Sequence, residues 1–318
     1  MLKYNFDNNE CDYYECPICG TILRNVGIKY KTEELFKFWN DVVFSEKTKE
    51  EHYRQADHTS LYKCSDCDLE VFFPQIIGSP DFYLELQEFV YPFYTDKWEF
   101  EVARSDVKRN DKVIDVGCGQ GIFIKKINGI ASRIVGIEYN QQALNIGKEN
   151  GLEVFGDEED LSHFRGKMDI VFCFHVLEHV KDPIEFMKYL CIFLVDGGKI
   201  GLSVPNMNGP VKYTDPNKWN MPPHHATRWN INSLEKLANK LGLKIESIKY
   251  EPLSYDSSYY YSVHWVNKNI KFGNTIRIVI SNMLRVFFWM LFGVCRIFNK
   301  KYINTLRGQS VYILLKKT

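Results

Sequence analysis

The 318-residue sequence has no excess of charge of either sign, because 40 Lys and Arg residues balance 40 Asp and Glu residues. Proteins that bind nucleic acid by neutralising phosphates usually carry a basic excess, so the zero net charge argues against duplex nucleic acid as the partner. Internal repeats and low-complexity tracts are also missing, while 45% hydrophobic and 25% charged residues are typical of globular proteins. These absences argue against a disordered, collagen-like or multi-span membrane protein.

The sequence also lacks the signals that direct a chain into or across a membrane. Residues 1–10 do not combine a basic start with an apolar stretch, which argues against a signal peptide and predicts a cytoplasmic protein. The most apolar segment, 278–298, contains Arg285 and Arg296, and its longest uncharged run is about half of the roughly 20 residues needed to cross a bilayer. We therefore expect no membrane span; the segment suits a lid helix, a homodimer face or an interfacial anchor.

The order of the apolar runs from residue 112 onward predicts an α/β fold. Short apolar runs, which are typical of buried strands, alternate with segments of helical periodicity. The runs that predict strands are 112–116, 134–137, 169–174, 199–204, 243–250 and 309–315. The segments that predict helices are 141–150, 183–194 and 233–241. This alternation favours a doubly wound, mostly parallel sheet with helices on both faces.

The length, at roughly 150 residues per domain, indicates one large domain with a smaller appended unit. Residues 1–80 are the predicted N-terminal unit, with a helical-looking insert at 31–57. Residues 81–318 are the predicted main domain, which begins with an aromatic helical linker at 81–110. An insertion at 251–308, first rich in Tyr and then hydrophobic, interrupts this domain before its last predicted strand.

The segment 113–121 (VIDVGCGQG) places a strand directly before a Gly-x-Gly-x-Gly turn. Glycines in such a turn permit positive φ and let a ligand approach the backbone closely. The spacing differs from the dinucleotide pattern, and Asp115 would repel a pyrophosphate but suits a ligand that bears an ammonium group. After the next two strands, Glu138 could accept hydrogen bonds from ribose hydroxyls, and Asp157 could accept one from an adenine amino group.

Three motifs together, VIDVGCGQG, GIEYN and FCFHVLEHVKDP, resemble those of class I S-adenosylmethionine-dependent methyltransferases. The resemblance covers roughly residues 80–250 and the last strand, and it implies a seven-stranded Rossmann-like sheet whose final strand is antiparallel. It assigns Asp115, Gly117 and Gly119 to the methionine moiety, Glu138 to the ribose and Asp157 to the adenine. The neighbouring residues that complete the predicted cofactor site are Cys118, Gly121, Tyr139, Phe174 and His175. A nucleotide-binding sheet with another ligand is the alternative.

Two Cys-x-x-Cys pairs, Cys16 with Cys19 and Cys64 with Cys67, lie in the predicted N-terminal unit. Two such turns can supply the four thiolates of a tetrahedral zinc site, which has no open position and is therefore structural. Unrelated or redox-active thiols are the alternative. A zinc segment ahead of this core resembles methyltransferases of bacterial polysaccharide and sugar-modification pathways, a looser similarity carried by YKCSDCDLEVFFP and PPHHATRW.

A histidine–carboxylate cluster is predicted at the same sheet edge. His175, Glu178 and His179 follow the fourth strand, and His224 and His225 follow the fifth. One hypothesis is that one or more of the histidines act as a general base on an acceptor hydroxyl. The other is a divalent ion, such as Mg²⁺ or Mn²⁺, bound by His175, Glu178, His179 and His225.

The metal hypothesis rests on a resemblance to the magnesium sites of ubiquinone-pathway and small-RNA 2′-O-methyltransferases. His175 stands where those sites have an acid, which favours a softer ion than Mg²⁺. Glu178 and His179 could instead do no more than cap and orient the local helix.

These observations predict an enzyme that transfers a methyl group from S-adenosylmethionine to a sugar hydroxyl on a nucleotide-linked or glycan intermediate. In-line displacement at the sulfonium methyl would be helped mainly by positioning. The alternatives are N- or C-methylation of a sugar and O-methylation of another small metabolite. Two alternatives belong to other functional classes: an RNA methyltransferase and a non-catalytic binding protein with the same fold.

Overall fold

The computed structural model describes residues 13–89, 95–156, 158–270, 274–298 and 307–318. The strands are β1 (Arg24–Lys31), β2 (His58–Lys63), β3 (Glu70–Phe73), β4 (Lys112–Val116), β5 (Arg133–Ile137), β6 (Val154–Phe155), β7 (Met168–Phe174), β8 (Leu194–Pro205), β9 (Thr227–Arg228), β10 (Leu243–Pro252) and β11 (Arg307–Lys317). The helices are α1 (Thr32–Lys37), α2 (Glu46–Gln55), α3 (Pro80–Phe89), α4 (Trp98–Asp106), α5 (Ile122–Ile127), α6 (Gln141–Glu149), α7 (Pro183–Phe193), α8 (Ile231–Lys240), α9 (Tyr255–Asn269) and α10 (Asn274–Phe298).

Seven strands form one sheet in the order β10-β11-β8-β7-β4-β5-β6. The pairs β4–β5, β4–β7, β5–β6 and β7–β8 are parallel, whereas β11 runs antiparallel to both of its neighbours. The predicted fold is therefore confirmed, including the antiparallel last strand. Because β4, β5 and β7 are adjacent and parallel, the loops after their carboxyl ends meet at one edge of the sheet.

The central strands form as expected because their side chains are buried on both faces. Val113, Ile114 and Val116 of β4 are fully buried, as are Val135 and Ile137 of β5. Such β-branched runs suit a parallel sheet that helices cover on both sides.

The insert at 31–57 is not one helix but two short ones, α1 and α2, joined by a turn. Trp39 lies in this turn, and Phe44 follows it. Both aromatic rings pack against Phe82 of α3, with ring centroids 5.8 Å and 4.9 Å away. A continuous helix could not bring both rings to this cluster. Burial of the aromatic side chains therefore outweighs helix propensity and interrupts the helix between α1 and α2.

A second sheet of four antiparallel strands, in the order β1-β2-β3-β9, contains the N-terminal hairpin strands. Its last strand, β9, comes from a distant part of the chain, immediately after the PPHH segment. Val71 pairs with Thr227, and Glu70 pairs with Arg228. The N-terminal sheet therefore holds one end of the loop that carries His224 and His225.

The insertion before β11 contains the helical hairpin α9–α10, which continues directly from the end of β10. The 3-10 helix Pro210–Tyr213 supports the hairpin, because Tyr213 stacks on His264 of α9 with 3.9 Å between ring centroids. None of the helices within the described ranges has the length and apolarity required to cross a bilayer.

Candidate functional site

A cavity of about 600 Å³ opens at the sheet edge beyond the carboxyl ends of β4, β5 and β7. Asp115 and Glu138 line one part of it. His179, His224 and His225 line another part. The predicted cofactor residues and the predicted histidine cluster therefore share one cavity.

The glycine turn after β4 brings the backbone to the cavity wall. Gly117 has φ of 75°, and a Cβ at this position would lie 2.4 Å from Cγ2 of Val176. Gly121 has φ of 77° and is the N-cap of α5. Both positions require glycine, because larger residues rarely adopt this backbone conformation and would clash here.

Asp115, in β4, is a buried carboxylate with an unsatisfied oxygen. Its side chain is 2% exposed, and Oδ1 has no hydrogen-bond partner among the described residues. Burial, followed by the charge of Glu138, raises the pKa of Asp115 to about 8. A buried acceptor without a partner is costly, so this oxygen suits a ligand that brings a positive charge or a hydrogen-bond donor.

Glu138 follows β5, and two backbone groups fix its carboxylate. The backbone N–H of Gly119 donates to Oε2 over 2.6 Å, and that of Asn140 donates to Oε1 over 2.7 Å. Burial raises the pKa of Glu138, and these N–H donors oppose the rise. Each carboxylate oxygen can accept a second hydrogen bond, so the orientation suits a ligand with two neighbouring hydroxyls.

Other predicted cofactor residues are also near the cavity. The cavity is lined by Cys118, Gly119, Tyr139 and Phe174. Gly121 is not part of the lining and is instead the N-cap residue of α5. Asp157, the predicted adenine partner, lies outside the described residues.

His175 lies between two buried carboxylates. Its Nε2 is 2.5 Å from Oε1 of Glu99, and its Nδ1 is 3.1 Å from Oε1 of Glu178. Burial and the charge of Lys97 act to lower the pKa of His175, but the two carboxylates outweigh them and raise it to about 9. His175 is therefore a charged bridge at neutral pH, and its φ of 54° is a rare conformation for a residue other than glycine.

Three histidines converge beside this bridge. One ring nitrogen from each of His179, His224 and His225 lies within 4.8 Å of the other two. Burial, followed by neighbouring histidines, lowers the pKa of His224 and His225 well below the usual value for histidine. Both imidazoles are neutral at pH 7, so their lone pairs are available.

The orientation of two of these rings is set by partners at Nδ1. His179 Nδ1 is 2.5 Å from the carbonyl oxygen of His224 and 2.9 Å from the hydroxyl of Tyr83. His225 Nδ1 is 3.3 Å from Oδ1 of Asn220. A donor role at Nδ1 leaves the lone pair on Nε2, which is the usual arrangement of metal-binding histidines.

Two buried polar atoms beside the cluster lack partners among the described residues, namely Nδ1 of His224 and Oε2 of Glu178. Glu178 is 1% exposed, and its Oε1 is 3.9 Å from Nε2 of His225. The backbone oxygen of Glu178 accepts a hydrogen bond from the backbone N–H of Ala226. This bond joins the turn at 175–179 to the histidine loop, the segment that carries His224 and His225. Both unpaired atoms therefore have hydrogen-bonding or ligand capacity that no described residue uses.

Sequence reasoning missed Glu99, Tyr83 and Asn220 as members of the site. Glu99 is 1% exposed and lies between Trp98 and Phe100, and an acid between aromatic residues in a helix could have signalled burial. The local sequence around Tyr83 and Asn220 carries no comparable signal.

The four cysteines of the two Cys-x-x-Cys turns also come together. The Sγ atoms of Cys16 and Cys67 are 3.6 Å apart, and those of Cys19 and Cys64 are 3.5 Å apart. All four sulfurs lie within 4.8 Å of one another. Tetrahedral Zn–S bonds of about 2.3 Å place sulfurs about 3.8 Å apart, so the arrangement fits a zinc ion.

Comparison with known proteins identifies the family. A methyltransferase domain profile matches residues 86–248, which is just over half of the chain. The ubiquinone biosynthesis O-methyltransferase of Thiobacillus denitrificans is 31% identical over 105 residues, or 30% of this chain and 45% of that protein. The Escherichia coli enzyme of the same name is 31% identical over 106 residues, or 31% of this chain and 44% of that protein. The chain thus spans less than half the length of these relatives.

Solved structures that match this chain in a structural comparison include methyltransferases with low sequence identity to it. An S-adenosylmethionine-dependent methyltransferase from Mesorhizobium loti is 13% identical, with 69% of this chain and 97% of that chain covered and a TM-score of 0.44. One from Archaeoglobus fulgidus is 16% identical, with 69% and 94% covered and a TM-score of 0.42. The family match, the seven-stranded sheet and the glycine turn after its first parallel strand agree: this chain belongs to the methyltransferase domain family.

Proposed function

We propose that this protein is an S-adenosylmethionine-dependent O-methyltransferase that methylates a sugar hydroxyl on a nucleotide-linked or glycan intermediate. The observation that carries the proposal is a single cavity with two different walls. One wall has the unsatisfied carboxylate oxygen of Asp115, and the other has three converging histidine nitrogens. The first suits the cationic cofactor, and the second suits a hydroxyl that must lose its proton.

The cofactor wall fits the groups of S-adenosylmethionine. Asp115 would accept from the ammonium group, and Glu138, held by Gly119 and Asn140, would accept from the ribose hydroxyls. S-adenosylmethionine supplies a methyl group on a positively charged sulfur. The chain has only to hold this methyl in line with the acceptor oxygen, so that the new C–O bond forms as the C–S bond breaks.

The histidine wall fits a divalent ion better than a lone base. His179, His224 and His225 would hold the ion through ring nitrogens, and Glu178 lies beside them with an unpaired oxygen. Three imidazoles favour a divalent transition-metal ion over Mg²⁺. Such an ion lowers the pKa of a hydroxyl that binds to it. His175 is already engaged by Glu99 and Glu178, so we assign it the role of orienting Glu178.

A sugar acceptor is supported by the remaining lining of the cavity. Tyr83 and Trp219 present aromatic rings there, and aromatic faces stack on sugar rings. The amides of Asn217 and Asn220 also line the cavity, but both already bond within the chain and serve to fix its shape.

Two measurements test the proposal. Calorimetry with S-adenosylmethionine tests the cofactor wall, and no binding would refute it. Methyl transfer is then measured to a panel of nucleotide sugars, with a catechol and a structured RNA as the other arms. Transfer to the nucleotide sugars is expected, whereas exclusive transfer to the catechol or to RNA would refute the sugar assignment.

The metal content of the histidine wall needs a separate assay. A chelator should abolish transfer, and Mn²⁺ should restore it. Full turnover in protein that holds no metal beyond the one zinc ion proposed below for the four cysteines would instead favour His225 as a simple general base.

We also propose a structural zinc ion at Cys16, Cys19, Cys64 and Cys67. The four sulfurs are close enough for tetrahedral coordination, and thiolate ligands need a reducing compartment, in keeping with the cytoplasmic location that the sequence predicts. Elemental analysis should find about one zinc per chain. A Cys64→Ser/Cys67→Ser variant that keeps its zinc would contradict this assignment.

A further inference from the structure

The hairpin α9–α10 has small polar side chains where its two helices meet. Ser258 and Ser262 of α9 are fully buried, and Ser281 of α10 is 5% exposed. The hydroxyls of Ser262 and Ser281 are 3.2 Å apart, and Ser258 donates to the backbone oxygen of Arg285 over 3.3 Å. In a water-soluble helical pair this interface would normally hold the large apolar residues.

Several large apolar side chains in the described part of α10 are exposed instead. Val279, Met283 and Met290 are 53%, 68% and 52% exposed. The spacing of three and four residues, which Val286 continues, places them on one stripe along the helix. Helices whose outer surface contacts lipid have this arrangement, with small polar residues at the helix–helix interface and apolar residues on the outer face.

The charge of this part of the sequence is equally one-sided. From residue 257 to residue 318 there are ten Lys and Arg residues and no Asp or Glu. The zero net charge of the chain is therefore the sum of a basic C-terminal segment and an acidic remainder. A basic apolar helix is attracted to anionic lipid headgroups, and each cation near such a surface adds to the binding.

We propose that the α9–α10 hairpin binds the surface of an anionic lipid bilayer, with the Val279, Met283, Val286 and Met290 stripe inserted at the boundary of headgroups and acyl chains. Trp265 and Tyr259 of α9, 43% and 41% exposed, are residues of the kind that settle at this boundary. A second copy of the chain fits the stripe less well, because it would bring two acid-free basic segments together.

The hairpin is joined to the wall of the cavity. Val211 lines the cavity and belongs to the 3-10 helix whose Tyr213 stacks on α9. Gln309, also in the lining, donates to Ser257 of α9 over 3.3 Å. Bilayer binding would therefore bring the cavity close to the membrane surface, whatever the methyl acceptor is.

Vesicle co-sedimentation of the full chain tests the proposal. We expect binding to phosphatidylcholine vesicles that contain phosphatidylglycerol, much weaker binding to phosphatidylcholine alone, and weaker binding at high salt. Met283→Glu and Val279→Glu should each reduce the vesicle-bound fraction about tenfold, because they place a negative charge at the boundary. Val43→Glu is the matched control, since Val43 is 72% exposed but lies outside the hairpin, and it should bind as the parent chain does.

Cofactor calorimetry on the same proteins separates this proposal from the proposed function, because all three variants should bind S-adenosylmethionine as the parent chain does. Equal binding by Met283→Glu and the parent chain would overturn the proposal. So would no binding of the parent chain to anionic vesicles. Self-association of the parent chain that Met283→Glu abolishes, without vesicle binding, would assign the stripe to a second copy.

Discussion

The two walls of the cavity are built in different ways. The cofactor wall is local: Asp115 lies in β4, Glu138 follows the neighbouring strand β5, and the backbone N–H of Gly119 in the turn after β4 donates to Glu138. The histidine wall is assembled from segments that are distant in sequence, with Tyr83, His179 and Asn220 meeting around the PPHH loop. A wall made of contiguous motifs can be expected to tolerate changes elsewhere in the chain, whereas an assembled wall depends on every segment that supports it.

The largest expected effect separates chemistry on the histidine wall from binding on the cofactor wall. His225→Ala should lower kcat by roughly 10²–10⁴-fold, the usual range for loss of an acid–base or metal-binding group. Calorimetry should show unchanged S-adenosylmethionine affinity. His58→Ala, a change at a histidine of β2 that does not line the cavity, is the control and should keep full turnover. Near-normal turnover of His225→Ala would remove the distinction between the walls.

The converse change is made at Glu138. Glu138→Gln removes a charged acceptor from the Gly119 and Asn140 N–H groups and from the ribose, so cofactor affinity should fall by about 10- to 100-fold. At saturating cofactor, kcat should recover most of its value. Glu153→Gln, at an exposed carboxylate paired with Arg133, should leave the affinity unchanged. A fall in kcat without a loss of S-adenosylmethionine affinity would instead assign Glu138 a role in methyl transfer.

Proton linkage at Asp115 gives a third and smaller test. Because its pKa is raised to about 8, Asp115 is mostly protonated in the free protein at pH 6 and 7. A cationic ligand needs the carboxylate form, so S-adenosylmethionine should bind more tightly as the pH rises towards 8, by up to about tenfold per unit. Calorimetry between pH 6 and 8 measures the slope, and Asp115→Asn should flatten it. An equal slope in that variant would contradict the assignment.

The smallest effect concerns the support of the histidine loop. Arg228 of β9 donates through both terminal nitrogens to Asp215, and through Nε to the carbonyl oxygen of Asn220. Arg228→Lys cannot reproduce this fork and should lower the free energy of unfolding by about 1–2 kcal/mol. Thermal unfolding measures the loss. Arg165→Lys, at an exposed arginine, is the control and should leave the unfolding temperature unchanged.

The same contrast explains what could be predicted from the sequence. The strands of the seven-stranded sheet and the glycine turn are encoded in short contiguous patterns, so this sheet and the presence of Asp115 and Glu138 at its edge could be predicted from the sequence. For the histidines, the sequence predicts one cluster at the sheet edge but not which of its side chains contact one another. It did not predict that His175 is held between Glu99 and Glu178, or that His224 joins His179 and His225. These contacts depend on how α3, α4 and the histidine loop pack, which no local pattern records.

The two-residue strand β9 has a consequence for the order in which the protein forms. Its pairing of Val71 with Thr227 closes a very long loop, and such distant contacts form late because the chain entropy must be lost first. The glycine turn and the Glu138 loop need only neighbouring segments. A chain emerging from the ribosome could therefore shape its cofactor wall early. The histidine wall must wait until β9 pairs with the sheet of β1, β2 and β3, which precedes it in the chain.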